Sequence, residues 1–316
     1  MRHSQIPTPL ATLLALTLAF AGPQGVSAAG AASPPAPREG GCPIFPASNA
    51  FNEDISHAPV DPNSARYIAS IGLSGHLHPD FGTEPSYGIP YKVVGPHQPR
   101  VSIAFSEFGE ESNPGPYPIP ANAPVEGAGE EGDRHVLVLQ TGSCKLYELY
   151  NAQRRGAGWE AGSGAVFSLR SNALRPEGWT SADAAGLPIF PLLVRYPEVH
   201  AGRIDHALRV TVARTQRGYI HPATHFASSS SDTSLPPMGL RLRLKASYPI
   251  AGFHGESLIV LRALKRYGLI VADNGTSWYI TGAPDPRWND ADLEQIKRVP
   301  GAAFEAVRTG SIRHRG

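Results

Sequence analysis

The chain has 316 residues, with 28 Lys and Arg against 27 Asp and Glu and a formal net charge of +1 at pH 7. No block of basic residues stands out, so there is no electrostatic footprint for nucleic acid, and no apolar run reaches the roughly 20 residues that span a bilayer. The 31 prolines and 33 glycines separate short apolar segments, a pattern that suits strands joined by turns.

Residues 1–28 read as an export signal. Arg2 and His3 precede the apolar stretch from Pro9 to Gly22, and Val26-Ser27-Ala28 supplies small residues for cleavage. The mature protein is therefore expected to be secreted or periplasmic, with no membrane insertion. Residues 29–41, rich in Ala, Pro and Gly, are expected to form a flexible leader, because they cannot bury enough apolar surface to offset the entropy of ordering. Residues 42–316 contain no low-complexity linker and are expected to form a single β-rich domain. The only cysteines, Cys42 and Cys144, are expected to form a disulfide in an oxidising compartment, the other reading being two buried thiols. In the chain-entropy model such a bridge contributes at most about 4 to 5 kcal/mol. It also sets aside a cysteine nucleophile.

In HLHPD, His76, His78 and Asp80 have ligand-like side chains, but Pro79 puts them on a loop and the spacing matches no closed zinc site. VSIAF from Val101 reads as a strand. The segment Phe108 to Gly132 is too rich in proline for a central strand or helix and reads as an extended, ordered surface loop. RHVLVLQ from Arg134 is a further strand. In CKLYELYNA, Cys144, Leu146, Glu148 and Tyr150 share one face, opposite Lys145, Tyr147 and Leu149. SGAVFSL from Ser163 follows, then the small-residue group GWTSADAAGLP from Gly178.

HALRVTVAR places His206, Leu208, Val210 and Val212 on one strand face, with Arg209 and Thr211 on the other. His221 and His225 in HPATH form a His-x-x-x-His pair, again broken by a proline, Pro222. GLRLRLKASY alternates Leu240, Leu242, Leu244 and Ala246 with Arg241, Arg243 and Lys245, the clearest strand pattern in the chain. GESLIVLRALKRYG reads as a helix with Leu258, Leu261 and Leu264 on one stripe, ending at Gly268. LIVADNGTSWYI reads as a hairpin turning at Asn274-Gly275, and this turn also accounts for the formal glycosylation sequon there. A second helix starts at Asn289 as N-cap and ends before Pro300. FEAVRTG from Phe304 closes the list of strands. Strands dominate and the helices gather late, so the expected fold is all-β dominated, a jelly-roll-like β-sandwich with a few peripheral helices near the carboxyl terminus.

The segments CPIFPASNAFN, ESNPGPYPIP, WEAGSGAVF, LRPEGWTSADAAGLPIFP and ADNGTSWYITGAPDPRW are similar to a family of secreted bacterial proteins with no assigned activity. The resemblance covers nearly all of the mature chain. It implies one coherent unit and supplies no mechanism.

There is no Gly-x-Ser-x-Gly elbow, no P-loop and no dinucleotide fingerprint, and no cofactor or metal is expected. Carboxylates are more informative, because glycoside hydrolysis needs one carboxyl protonated and a second ionised. Glu148, inward by strand parity, is a candidate acid, the alternative being a buried structural partner of His206 or an Arg. Glu160 beside Trp159 and Asp183 beside Trp179 pair a carboxylate with an aromatic plate, as a sugar cleft does; the alternative is turn and capping bonds around buried tryptophans. Arg209, Arg241, Arg243 and Lys245 form either a cationic face for an anionic sugar or a solvated sheet face. The expected function is a glycoside hydrolase acting on an extracellular glycan through Glu160, Asp183 and Glu148, with Trp159, Trp179, Tyr147, His206 and Arg209 binding substrate. The rivals are a lectin-like binding protein, a polysaccharide lyase moving a proton through Tyr147 or His206, and a cell-surface interaction protein. Oligomeric state has no signal in the sequence.

Overall fold

Continuous and alternating apolar runs become strands that stack in layers. The computed structural model describes residues 36–129 and 132–315, together with residues 1 and 3–5. Most of the expected export signal and the leader as far as residue 35 lie outside the described residues. In chain order the strands are β1 (Arg38–Glu39), β2 (Cys42–Pro43), β3 (His78–Asp80), β4 (Tyr91–Val94), β5 (Ile103–Phe105), β6 (Val136–Gln140), β7 (Lys145–Tyr150), β8 (Gln153–Arg155), β9 (Gly158–Ala161), β10 (Ser163–Ser168), β11 (Leu208–Val212), β12 (Arg241–Leu244), β13 (Leu269–Asn274), β14 (Tyr279–Thr281) and β15 (Phe304–Val307). The α-helices are α1 (Ser64–Ile71), α2 (Tyr196–His200), α3 (Gly255–Arg266) and α4 (Asp290–Leu293). The body is thus mostly open β-sheet with a few short helices. Strand β1 pairs with β2, so residues 38–39 of the segment expected to be leader are part of a sheet.

A four-stranded sheet, β10-β7-β6-β4, lies between two cores. Strand β6 reads Val-Leu-Val-Leu-Gln and is buried throughout, as a strand covered on both faces must be. Leu137, Leu139 and Leu146 enter the large core shared with the six-stranded sheet, β15-β12-β13-β11-β14-β3. Val136, Val138, Tyr147 and Leu149 face the other way, into a smaller core with the three-stranded sheet β5-β9-β8. The proline-rich segment closes that smaller core. Its Tyr117 and Ile119 are buried against that core, while residues 108–110, 114–116 and 121–122 lie exposed, so the expected surface loop also serves as a wall of the domain.

Four strand pairs are parallel: β4 with β6, β5 with β9, β11 with β13 and β14 with β3. The sheets therefore depart from the antiparallel jelly roll that the turn-rich sequence suggested, since the proline- and glycine-rich connections include crossovers as well as tight turns. The expected hairpin at Asn274-Gly275 is corrected for the same reason. Strand β11 lies between β13 and β14, parallel to the first and antiparallel to the second.

The cationic stripe of β12 is also corrected. Arg241 and Arg243 are buried because the segment around residues 50–58 covers them and offers its carbonyls. Arg241 donates to Ala50 O at 2.6 Å, and Arg243 donates to the carbonyls of Ile55, Ser56 and Ala58 and to Glu305. Lys245 Nζ donates to Ala302 O at 2.8 Å. Helix α3 ends as its sequence indicates: Gly268 has φ +68° and packs so tightly that a Cβ there would lie 2.1 Å from Leu242 O. Asn289 caps α4 by accepting from Asp292 N at 3.1 Å, but the helix runs only to Leu293 before tightening into a 3-10 turn over Glu294–Arg298.

Cys42 and Cys144 form a disulfide across a sequence separation of 102 residues. Replacing both by Ser is expected to lower the unfolding free energy by about 2–5 kcal/mol. Urea unfolding followed by circular dichroism checks this, and a midpoint equal to that of the parent protein would contradict it.

Candidate functional site

The small residues of GWTSADAAGLP let this segment approach both sheets of the large core. Toward the four-stranded sheet, Ser163 Oγ donates to Ser181 O at 2.7 Å and His135 Nε2 to Ala182 O at 2.9 Å. Glu148 on β7 accepts the amides of Ile189 and Phe190 at 2.9–3.0 Å. Toward the six-stranded sheet, Ala185 N donates to Ala272 O at 3.0 Å and Val194 N to Thr281 O at 3.1 Å. Gly186 has φ +72°, and a Cβ there would lie 2.2 Å from Thr224 Oγ1 and 2.6 Å from Trp179 O. Ser181 Oγ accepts the Asp183 amide at 2.9 Å, locking the turn that carries the aspartate.

Asp183 is 1% exposed and receives two bonds from Arg209 on β11, Nε and Nη2 each at 2.8 Å. Arg209 also donates to Thr281 Oγ1 at 2.9 Å and to Asp273 Oδ2 at 3.2 Å. The Asp273 side chain is 21% exposed, so it is the member of this group that meets solvent. Burial raises the Asp273 pKa to about 7, and the charge of Asp183 adds to the rise against the pull of Arg209.

Glu126 and His135 adjoin this group electrostatically. Glu126 Oε2 lies 2.6 Å from His135 Nδ1 and also accepts the His135 amide at 3.2 Å. Burial opposes ionisation of Glu126, but the His135 charge and hydrogen bonds outweigh it and hold the carboxyl below its ordinary range. Burial likewise disfavours a charged His135, yet Glu126 raises its pKa to about 9, so the imidazolium persists at neutral pH. Asp80 at the end of β3 is raised, first by burial, and feels both Arg209 and Glu126. The cluster thus holds one carboxyl raised toward neutrality, Asp273, and one lowered, Glu126, each of which feels the charge of Arg209.

The cleft expected from the sequence is corrected on several counts. Trp159 is 6% exposed because its side of β9 faces the smaller core, while Glu160 points outward and pairs with exposed Arg155 at 3.2 Å. Trp179 is half-buried under the Arg175 guanidinium, 5.6 Å from the ring centroid. Tyr147 is buried and accepts from Arg100 at 3.0 Å. His206 is sealed beside Arg195 and Glu198, and Glu148, 0% exposed, meets main-chain amides and not a substrate. Asp183 and Arg209 are brought together, as a buried ion pair.

His78 stacks on Tyr279 with centroids 4.1 Å apart and contacts Tyr87, while His76 is exposed. His221 pairs with Glu177 at 2.6 Å and His225 Nδ1 lies 2.7 Å from Ala184 O. Among the described residues no group of three or more His, Cys, Asp or Glu is placed to hold a metal, and no helix is long and apolar enough to cross a membrane. Sequence reasoning missed Glu126, His135 and Asp273. His135 shares strand parity with Leu137 and Leu139, a usable signal, whereas Glu126 has none.

No family model, no curated protein and no solved structure matches the chain. The site is therefore read from its own geometry.

Stability should follow these shifts. The His135 contribution is complete below about pH 6.5 and lost as pH rises to about 9, whereas Asp273 and Glu148, both raised to about 7, bind extra protons in the folded state and cost stability as pH rises from about 4 to 7. Glu198, lowered to about 2 by Arg195 and His206 against its burial, contributes above about pH 4.5 and loses this as pH falls toward 2. The unfolding free energy is expected to peak near about pH 4 to 4.5 and to decline from there toward pH 9, with a shallower decline above neutrality in His135→Gln. Urea titrations at a series of pH values check this; a flat profile from mildly acidic to alkaline pH would contradict it.

Proposed function

We propose that the protein is an exported hydrolase of extracellular glycans, built on a β-sandwich of stacked open sheets, with Asp273 as proton donor and Glu126 as its ionised partner. The observation that carries this reading is a pair of part-exposed carboxyls in different surroundings: Asp273, 21% exposed, shares Arg209 with buried Asp183, and Glu126, 22% exposed, pairs with His135 at 2.6 Å, which fits the rise of the first to about 7 and the lowering of the second. In the reaction, the Asp273 proton passes to the glycosidic oxygen as the carbon–oxygen bond breaks. Water bonds to the sugar carbon and gives a proton to Glu126. Asp183, held by Arg209, keeps Asp273 protonated between turnovers.

The rival readings lose support from the same geometry. A lectin would present its aromatic rings, but Trp159 is sealed and Trp179 lies under Arg175. A lyase for an anionic glycan would need free cations, whereas Arg209, Arg241 and Arg243 are buried and bonded.

The test is incubation of the purified mature protein with plant, fungal and bacterial glycans, reading new reducing ends and unsaturated products. Reducing ends without unsaturation are expected, and Asp273→Asn is expected to lower kcat by about 10²–10⁴-fold with little change in Tm. Because the donor must be protonated, kcat should fall as pH rises through about 7. Unsaturated products, retention of glycan without cleavage, or an Asp273→Asn variant of full activity would each overturn the assignment.

A further inference from the structure

A cavity of about 490 Å³, within the roughly 300–1,000 Å³ typical of small-ligand sites, is lined by residues on either side of Glu126 in the chain and by the segments that follow β3 and β14. Its walls include Val125 and Ala128, on either side of Glu126 in the chain. They also include Pro284, which follows Thr281, the residue that bonds Arg209 and pairs in register with Asp80. Pro85, Pro90, Pro124 and Pro286 complete most of the lining. Proline rings bring apolar C–H faces and no N–H donor. The charged side chain of the lining, Asp285, is occupied by Arg287 through bonds of 2.7 and 2.6 Å.

Such walls exchange few hydrogen bonds with a guest. A sugar ring seated there would surrender hydrogen bonds to water without replacement, whereas a flat apolar ring would gain from burial against the proline faces. The cavity therefore suits the part of a substrate that is not sugar. We propose that it receives an aromatic leaving group, so that the substrates are glycosides of phenols; this rests on the hydrolase reading above. On cleavage, the bond between the sugar carbon and the phenolic oxygen breaks and that oxygen takes the Asp273 proton. Water supplies hydroxyl to the sugar carbon and its remaining proton to Glu126.

Two measurements on the full mature protein separate this inference from the reading beneath it. The first is binding of umbelliferone, a free phenol, followed by fluorescence polarisation. Binding is expected in the parent and in Asp273→Asn, and at least about tenfold weaker in Ala123→Trp, which fills the cavity; Val125→Trp serves as a second filling variant should Tm show that the first fails to fold. The second is turnover of a panel of umbelliferyl glycosides against the methyl glycosides of the same sugars, with kcat/KM expected at least about tenfold higher for the aryl series. Umbelliferone binding that is absent from the parent or unmoved by both filling variants, or equal turnover of the two series, overturns the aromatic pocket while leaving the hydrolase intact. Filling-sensitive binding with no cleavage of any glycoside overturns the hydrolase reading and the leaving-group role with it.

Discussion

The bidentate bond between Asp183 and Arg209 is the constraint on which both the fold and the chemistry rest. Both side chains are withdrawn from water, and removing one partner of such a pair leaves an uncompensated charge in the interior, at a cost of about 3–5 kcal/mol. The pair fixes the turn of residues 181–186 against β11. That turn in turn presents Ala182 O to His135, whose other ring nitrogen faces Glu126. The charge of Asp183 also helps keep the proton on Asp273. One ion pair thus ties the inter-sheet segment to β11 and adds to the effect of burial on Asp273.

Glu148 and Asp273 show why a raised pKa alone does not identify a reactive group. Each is raised to about 7, chiefly by burial. Glu148 is fully enclosed, and its oxygens accept the amides of Ile189 and Phe190, which fasten the inter-sheet segment to β7. Asp273 keeps part of its surface in solvent, where a proton has somewhere to go. Exposure separates a carboxyl that can exchange its proton with solvent from one that cannot, and it does not follow from charge or parity along a single strand.

What the sequence made legible was local. Alternation located β7, β11 and β12, continuous apolarity located β6 and β10, and the stop at Gly268 ended α3 where expected, because each signal depends on neighbours within a few residues. What it hid was pairing between distant segments. The insertion of β11 between β13 and β14 defeats the inference that adjacent strands around an Asn-Gly step form a hairpin. The arginines of β12 read as a solvated face because the carbonyls that cover them belong to a segment about 190 residues earlier in the chain, as with Arg241 and Ala50 at a separation of 191. Trp159 and Asp183 were rightly singled out as unusual, but their neighbours explain them as packing and ion pairing. Glu126 lay unmarked in the proline-rich stretch, since only the fold brings His135 to it.

The charges around the site also bear on what it can recognise. The cations Arg209 and His135 are each paired with a carboxylate, Asp183 and Glu126, so neither is left free for an anionic guest. The whole chain, at +1, adds no strong field, and a charged polymer gains no electrostatic steering from it. On the hydrolase reading, selection then falls on contacts at short range, those with the apolar proline walls and those with the part-exposed carboxyls. A neutral guest with one hydrophobic end matches both surfaces, and the rigid backbone of the proline segments means the cavity is already shaped before that guest arrives.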